Sequence, residues 1–423
     1  MGDTTASDNQ VTQQDSATGN GAGGFVKARK GSLLGAIFLM ATSAIGPGFI
    51  TQTATFTVSL GAAFAFGILL SILIDFVVQS NIWRIVTVSG KRAGELANAA
   101  IPGSGFVLSA LIVFGGLVFN IGNIAGTGLG LNAMIGLEPK IGGLISALLA
   151  IAIFLVKRAG AVMDRVVVVL GAVMLLLTFY VAIVSNPPVG EALRQTVWPD
   201  TFDFAMITTI VGGTVGGYIT YSGAHKLLDS GVSGPAHIKE VTNSALLGIG
   251  VTGVLRYLLF LAFLGVTASG VVIDVTRDPA AQAFHAAAGE FGLRAFGVVI
   301  WAAAISSVIG AAFTSVSFMT VFNRRIAGRM RDYVTVGFII VSLIVYLVLG
   351  TTPVALLVFA GGFNGLILPF GFTIMMYVGW FRSDLLNGYR VNRWLLSAGT
   401  LVTALTWYMG VNAFGAIFAF LSR

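Results

Sequence analysis

From about residue 31 to residue 420 the chain alternates long apolar runs with short polar connections. A helix that crosses the hydrocarbon core of a bilayer needs about 20 mostly apolar residues. About eleven segments meet that requirement: 31–58, 60–83, 104–131, 141–156, 164–184, 204–228, 243–269, 293–320, 333–350, 353–380 and 393–420. The pattern predicts an all-α integral membrane protein with about 11 transmembrane helices. No connection is long enough to form a separate domain, so 27–423 reads as one transmembrane domain. Residues 1–26 differ: they are polar, rich in Gly, Ser, Thr, Asn and Gln, and lack the apolar core of a signal peptide. They are expected to form a disordered tail, because they carry too little apolar surface to order themselves.

Composition agrees with this reading. The chain is 56% hydrophobic and 10% charged, against roughly a quarter charged in soluble domains. The net charge of +7 is spread over the helix ends and makes no nucleic-acid-binding patch. If the N-terminus is placed in the cytoplasm, eighteen of the 24 Lys and Arg residues fall on the cytoplasmic side, as the positive-inside rule requires. A multi-pass protein of the cell membrane follows. The absence of cysteine removes thiolate metal sites and thiol catalysis. There is no GxSxG, no GxxxxGK[ST] and no HExxH, so neither a membrane hydrolase nor an ATP-driven pump has support, and no cofactor is implied.

Inside the first segment stands Ile45-Gly46-Pro47-Gly48-Phe49-Ile50-Thr51-Gln52-Thr53, with two glycines and a proline where a helix should continue. The sixth segment carries Gly212-Gly213-Thr214-Val215-Gly216-Gly217-Tyr218-Ile219-Thr220-Tyr221-Ser222, and the breaks are expected at Gly46–Gly48 and Gly212–Gly217. Aligned, Gly48–Thr53 and Gly217–Ser222 share the order Gly, aromatic, Ile, Thr, polar, hydroxyl. The copies stand five segments apart, an odd number, so they run through the membrane in opposite directions. Paired Gly-interrupted segments in two halves are the mark of an inverted-repeat transporter with its site at the midplane. The halves are 31–184 and 204–380, with 393–420 as an extra helix. Irregular backbone in a bilayer is tolerated where it is buried in protein or lines a cavity. Each break frees N–H groups at the start of a half-helix, and these carry the positive end of its dipole. Candidate substrate-binding residues are therefore Gly46, Gly48, Phe49, Thr51, Gln52, Gly216, Gly217, Tyr218 and Thr220. A kink for packing is the competing reading at either break taken alone.

Polar groups elsewhere in the apolar segments add candidates. Asp75 lies about two turns from the inner end of the second segment, and Arg256 lies in the middle of the seventh. Charges at such depth are paired or functional. Asp75 is a candidate for proton or Na⁺ coupling, and Arg256 for its counter-ion or a clamp on a substrate carboxylate; a structural pair between them is the alternative. Asn120 and Asn123 share a helix face and are either cavity-lining or engaged with neighbouring backbone. Asn364, in Ala360-Gly361-Gly362-Phe363-Asn364-Gly365, is expected to interrupt the tenth segment and line the cavity. His225, Lys226 and Asp229 end the sixth segment, as a solvated helix end or a gate. His237 and His285 read as loop residues, and the three histidines share no metal-binding spacing.

These motifs resemble those of the NRAMP (natural resistance-associated macrophage protein) transporters, in a divergent bacterial branch. "GPGFITQT" resembles the family's Asp-Pro-Gly-Asn stretch and "VGGTVGGYITYSGAH" its Gly-Ala-Thr-Ile-Met-Pro-His stretch. "QSNIWRIVTVSGKRAGELA" (79–97) and "ISSVIGAAFTS" (305–315) resemble stretches after its second helix and in its eighth. The resemblance runs over about 31–420. It implies a leucine-transporter-like 5+5 inverted repeat with broken helices 1 and 6, and secondary active transport, commonly of divalent metals with protons. The family's metal-binding Asp, Asn and Met match Gly46, Phe49 and Gly216, its His matches Tyr218, and a Gln of its tenth helix matches Ile367. A divalent cation leaving water needs oxygen or soft ligands, usually anionic ones, so no metal ligand is assigned. Paired half-helix N-termini beside hydroxyl and amide groups suit a carboxylate, which favours a small organic acid or amino acid. A divalent cation (Mn²⁺, Mg²⁺ or Fe²⁺) is the alternative. H⁺ or Na⁺ is the expected coupling ion.

Overall fold

The computed structural model describes residues 44–419 except 327 and 350, and only the backbone of 157–168 and 170. The tail 1–26 and the first part of the segment 31–58 lie outside the described residues. The chain runs as α1 Pro47–Leu60, α2 Phe64–Ser89, α3 Ala93–Ala100, α4 Ser104–Ile135, α5 Pro139–Leu155, α6 Lys157–Val184 and α7 Val189–Val197. It continues as α8 Phe204–Thr214, α9 Ile219–Asp229, α10 Ile238–Ala268, α11 Pro279–Met319, α12 Arg329–Val348, α13 Pro353–Phe381 and α14 Arg393–Ala419. Short 3₁₀ turns occupy Gly61–Ala63, Pro235–His237 and Ser383–Leu386. No strand occurs among the described residues.

Local sequence sets the helix ends. Proline opens α1, α5, α11 and α13, where its missing N–H has no intrahelical partner to lose. Asp203 and Thr352 cap α8 and α13 through side-chain oxygens that accept from Met206 and Ala355 N–H. α11 bends at Ala288 and Gly289, so that 279–287 forms a short arm before the long span. His285 sits on this arm and is not in a loop.

Among the described residues, seven helical stretches are long and apolar enough to cross a membrane, or eight if α6 and α7, bent by 110°, are joined. That tally takes Pro47–Ser89 as one stretch, leaves out the 17-residue α5, and does not join α8 to α9. The expected figure of about eleven divides the first, admits α5 and joins the last pair. Large apolar side chains such as Leu176, Val254 and Val411 are exposed on the outward faces of the bundle, as lipid contact requires.

α4 is the central post: it packs on α11, α13 and α5. Small residues let the backbones approach. A Cβ on Gly130 would lie 2.7 Å from Cβ of Trp301, and one on Gly126 would lie 2.5 Å from Pro47. In a bilayer such contact supplies the packing that a water-driven core supplies elsewhere. α13 in turn carries α8, and α2 packs on α10 and α9.

Candidate functional site

Both predicted breaks are present, each slightly displaced. In the first, Ile45 and Gly46 are non-helical, and Gly46 is the extended N-cap of α1. Gly48 therefore lies in the first turn of α1 and not in the break. In the second, Gly212 to Thr214 stay helical and the break spans 215–218, with Gly217 at φ +58° and Tyr218 as the cap of α9. Neither half-helix carries an acidic residue in its first turn, and neither has a side-chain cap.

The breaks are brought together by three groups. Gln52, one turn into α1, is fully buried; its Nε2 donates to Leu357 O of α13 at 2.9 Å. Its amide fills the space beside Gly213 and Gly361, where a Cβ would collide with it. Asn364 of α13 is also fully buried, and a Cβ on Gly217 would collide with its Oδ1. Phe119 of α4 lies 3.7 Å from the Cβ position of Gly48 and meets Tyr218 edge-on, ring centres 5.5 Å apart. Thus Gly48, Gln52, Gly217, Tyr218 and Asn364 form one neighbourhood. Gly216 abuts the main chain of Asn364. Thr51 and Thr220 are fully buried, and their hydroxyls have no partner within the described residues.

Asn364 does not interrupt its helix. α13 continues through it, because its Nδ2 donates to Ala360 O one turn back as well as to Gly115 O of α4. The glycines around it have another use: Gly361 and Gly365 present bare backbone to Thr209 O and Thr208 O of α8. This Gly-x-x-x-Gly strip, with Gly212 facing it, is a docking signal that was present in the sequence and not read as such. Phe119 and the Leu357 carbonyl carried no local signal. Asn120 stands apart: its Nδ2 donates to Ser342 Oγ at 3.1 Å and ties α4 to α12.

Asp75 and Arg256 are paired at 2.8 Å with both side chains fully buried. α2 runs on to Ser89, so Asp75 lies about four turns from its end and not two. Gln79 donates to the other carboxylate oxygen. The guanidinium carbon sits 5.8 Å from the centre of the Phe49 ring, so the ion pair backs directly onto the first turn after the break.

The two ends of the bundle differ. At the end carrying Ser59 and Thr352, a cleft of about 130 Å³ opens between α1 (Thr55, Phe56, Ser59), Met206 of α8, Thr276 and Thr352. Its inner wall includes Val358, next in sequence to the carbonyl that holds Gln52. Beside it, Asp278 caps the arm of α11; burial pushes its carboxyl up to about 6, against the pull of the Ala280 and Ala281 N–H groups. At the other end the half-helix α9 is clamped. Trp83 Nε1 donates to Thr220 O at 3.1 Å. His225 accepts from Ala93 N–H at 3.1 Å and bonds Ser317 Oγ at 2.8 Å. Asp229 takes both Arg92 and, at 3.2 Å, Arg331. His225 is therefore buried and not part of a solvated helix end. Among the described residues, no group of three His, Cys, Asp or Glu side chains is placed to hold a metal ion.

The comparisons with known proteins agree with this architecture. The family model described as natural resistance-associated macrophage protein-like matches residues 37–415. The chain is 48% identical over 401 residues to the membrane protein YcsG of Bacillus subtilis (strain 168), covering 95% of this chain and 97% of that one. It is 50% identical over 377 residues to a membrane protein of Haemophilus influenzae, covering 89% and 94%. Among solved structures it is similar to a manganese transporter of Eremococcus coleocola, with a TM-score of 0.73 and 16% identity over 91% of this chain and 86% of that one. It is also similar to MhsT in complex with L-phenylalanine, with a TM-score of 0.65 and 16% identity over 90% and 98%. The fold is thus the leucine-transporter-like one.

Proposed function

Because this chain belongs to the natural resistance-associated macrophage protein-like family, a family of membrane transporters, we propose that it is a secondary transporter carrying a small organic acid or amino acid. The observation that carries this is the chemistry of the two breaks. Where the resemblance sets anionic and soft metal ligands, this chain has Gly46, Phe49 and Gly216. Asp75, the carboxylate linked to the first break through Arg256 and Phe49, is already engaged by Arg256 and Gln79. What the breaks offer is N–H groups of two uncapped half-helices, with hydroxyls and amides around them. Such N-termini bind carboxylates, whereas a hard divalent cation needs anionic oxygen to offset its dehydration.

The remaining roles follow from this reading. The N-terminus is cytoplasmic, so the cleft at Thr55 opens outward and the clamp at Asp229 closes the cytoplasmic end. Solute enters from the cleft when Gln52 lets go of Leu357 O, and leaves when α9 swings away from Trp83, Ala93 and Arg331. Asp75 with Arg256, behind Phe49, is the place where H⁺ or Na⁺ couples to that exchange. The second reading, a divalent cation, is favoured by the family and by the fold shared with a manganese transporter. It would need a largely hydrated ion held by neutral carbonyls.

The test is the thermal stability of the detergent-purified protein against Mn²⁺, Mg²⁺, Fe²⁺, amino acids and small carboxylates. A ligand at a hundred times its Kd stabilises a single site by about 2.7 kcal/mol. A saturable shift with an organic acid and none with the metals is expected. A shift with Mn²⁺ or Mg²⁺ alone overturns the proposal.

A further inference from the structure

Two buried carboxamides face the second break, and the orientation of each is fixed. Gln52 Nε2 donates to Leu357 O at 2.9 Å, and Asn364 Nδ2 donates to Gly115 O and Ala360 O at 3.0 and 2.9 Å. A main-chain carbonyl accepts and never donates, so the nitrogen must be the atom on that side and neither amide can be turned over. The oxygens therefore point the other way. Gln52 Oε1 lies against Gly213, and Asn364 Oδ1 lies against both Gly217 and Gly115. Gly213 lies two residues before the break at 215–218, and Gly217 lies within it. Both oxygens are buried, and neither has a donor among the described residues. The hydroxyls of Thr51 on α1 and of Thr208 and Thr209 on α8 are likewise buried and without a partner among the described residues.

A buried acceptor without a donor is costly, and native folds rarely leave one. Two at one four-residue break, reached from α1 and from α13, mark the place of a donor that arrives from outside the chain. Both acceptors are neutral amides, which suit a hydrogen-bond donor better than a divalent ion. We propose that Gln52 Oε1 and Asn364 Oδ1 receive an N–H group of the transported solute. The substrate class is then a small carboxylic acid bearing at least one N–H donor. Its carboxylate goes to the N-termini of α1 and α9, a half of the argument that rests on the organic-acid reading above. The two oxygens are the specificity determinants: an acid of the same skeleton with CH₂ in place of NH or of CH–NH₂ would leave them unpaired, which is the strongest form of discrimination a buried polar site has.

The experiment measures equilibrium binding to the full-length, detergent-purified protein with matched pairs: alanine against propionate, proline against cyclopentanecarboxylate, phenylalanine against 3-phenylpropionate. In the pair that binds best, the N–H member is expected to bind at least ten-fold more tightly. Gln52→Met and Asn364→Leu, checked for folding by melting and size exclusion, are expected to bring that ratio close to one while the CH₂ member's affinity holds. The wild-type ratio decides the matter even if a variant does not fold. Equal affinity for both members of every pair overturns the inference and leaves the organic-acid reading intact. Binding of Mn²⁺ with no acid overturns that reading and this inference with it. Stabilisation by Na⁺ alone, lost in Asn364→Leu, overturns it by giving the two oxygens to a cation.

Discussion

Removing one member of the Asp75–Arg256 pair should be far worse than removing both. The two side chains are fully buried and meet at 2.8 Å. Arg256→Met leaves the carboxylate with Gln79 as its remaining hydrogen-bond partner among the described residues. Breaking a buried pair this way costs about 3–5 kcal/mol, whereas replacing both partners by apolar groups of similar volume is neutral or stabilising. With an unfolding entropy of about 2.1 cal/mol/K per residue, a chain of 423 residues converts that cost to a fall in Tm of roughly 3–6 °C. Asp75→Leu with Arg256→Met should recover most of it, giving a coupling energy of roughly 3 kcal/mol in the double-mutant cycle. The assay is melting of the detergent-purified protein followed by tryptophan fluorescence. If Arg256→Met melts with the wild type, the charges are not held in a water-free site and the reasoning fails. A second readout separates coupling from scaffolding. Asp75→Asn in liposomes should flatten the dependence of transport on pH or Na⁺; an unchanged profile removes Asp75 from the coupling role.

Three further outcomes follow from local geometry. Gly217→Ala should abolish transport and lower Tm: φ is +58° and the new methyl would strike Asn364 Oδ1, so the left-handed strain of about 1–2 kcal/mol adds to displacement of a fixed amide; wild-type uptake by this variant would refute the geometry. Gly130→Ala should cost about 1–3 kcal/mol, because its Cβ would lie 2.7 Å from Cβ of Trp301 and 2.8 Å from its main chain; an unaltered Tm would mean that α4 and α11 do not approach so closely. For Asp278, with a carboxyl raised to about 6, the neutral form is the one the fold prefers. Its stabilising contribution is complete below about pH 4 and is lost as pH rises through about 6. Asp278→Asn keeps an oxygen for Ala281 N–H and should flatten the fall of Tm between pH 4 and 7; an identical slope in the variant would count against this.

What the sequence made legible was whatever has a one-dimensional signature. Apolar runs gave the helices, Gly46 and Gly216-Gly217 marked the breaks, and Asp75 and Arg256 stood out as charges in apolar company. What it left hidden depends on partners far away in the chain. Gln52 reaches an acceptor 305 residues on, and Asp75 a partner 181 residues on. Asn364 was misread for the same reason. Glycines beside an Asn look like a helix interruption until the neighbouring helix is present, and then Gly361 and Gly365 become the surface on which α8 lies. His225 looked like an exposed helix end because the chain does not reveal that Ala93 and Ser317 cover it.

On the organic-acid proposal, glycine-rich breaks are the means by which the fold exchanges a cation for an organic solute. The fold supplies free N–H and C=O groups wherever the two half-helices start and stop, whatever side chains stand there. Charged ligands at Gly46 and Phe49 would make the breaks a cation site. Their absence leaves the dipole of α1 uncompensated and favours a negative group. The same absence makes room for Phe49 to lie between the break and the Arg256 guanidinium. A charge buried behind an aromatic ring, next to a backbone that must change shape in transport, feels that movement through one contact. Phe49→Leu keeps an apolar side chain and removes the ring face that Arg256 covers. If the ring transmits the coupling, this variant should bind solute as the wild type does yet lose the pH or Na⁺ dependence of uptake. Loss of binding together with that dependence would instead place Phe49 on the solute itself.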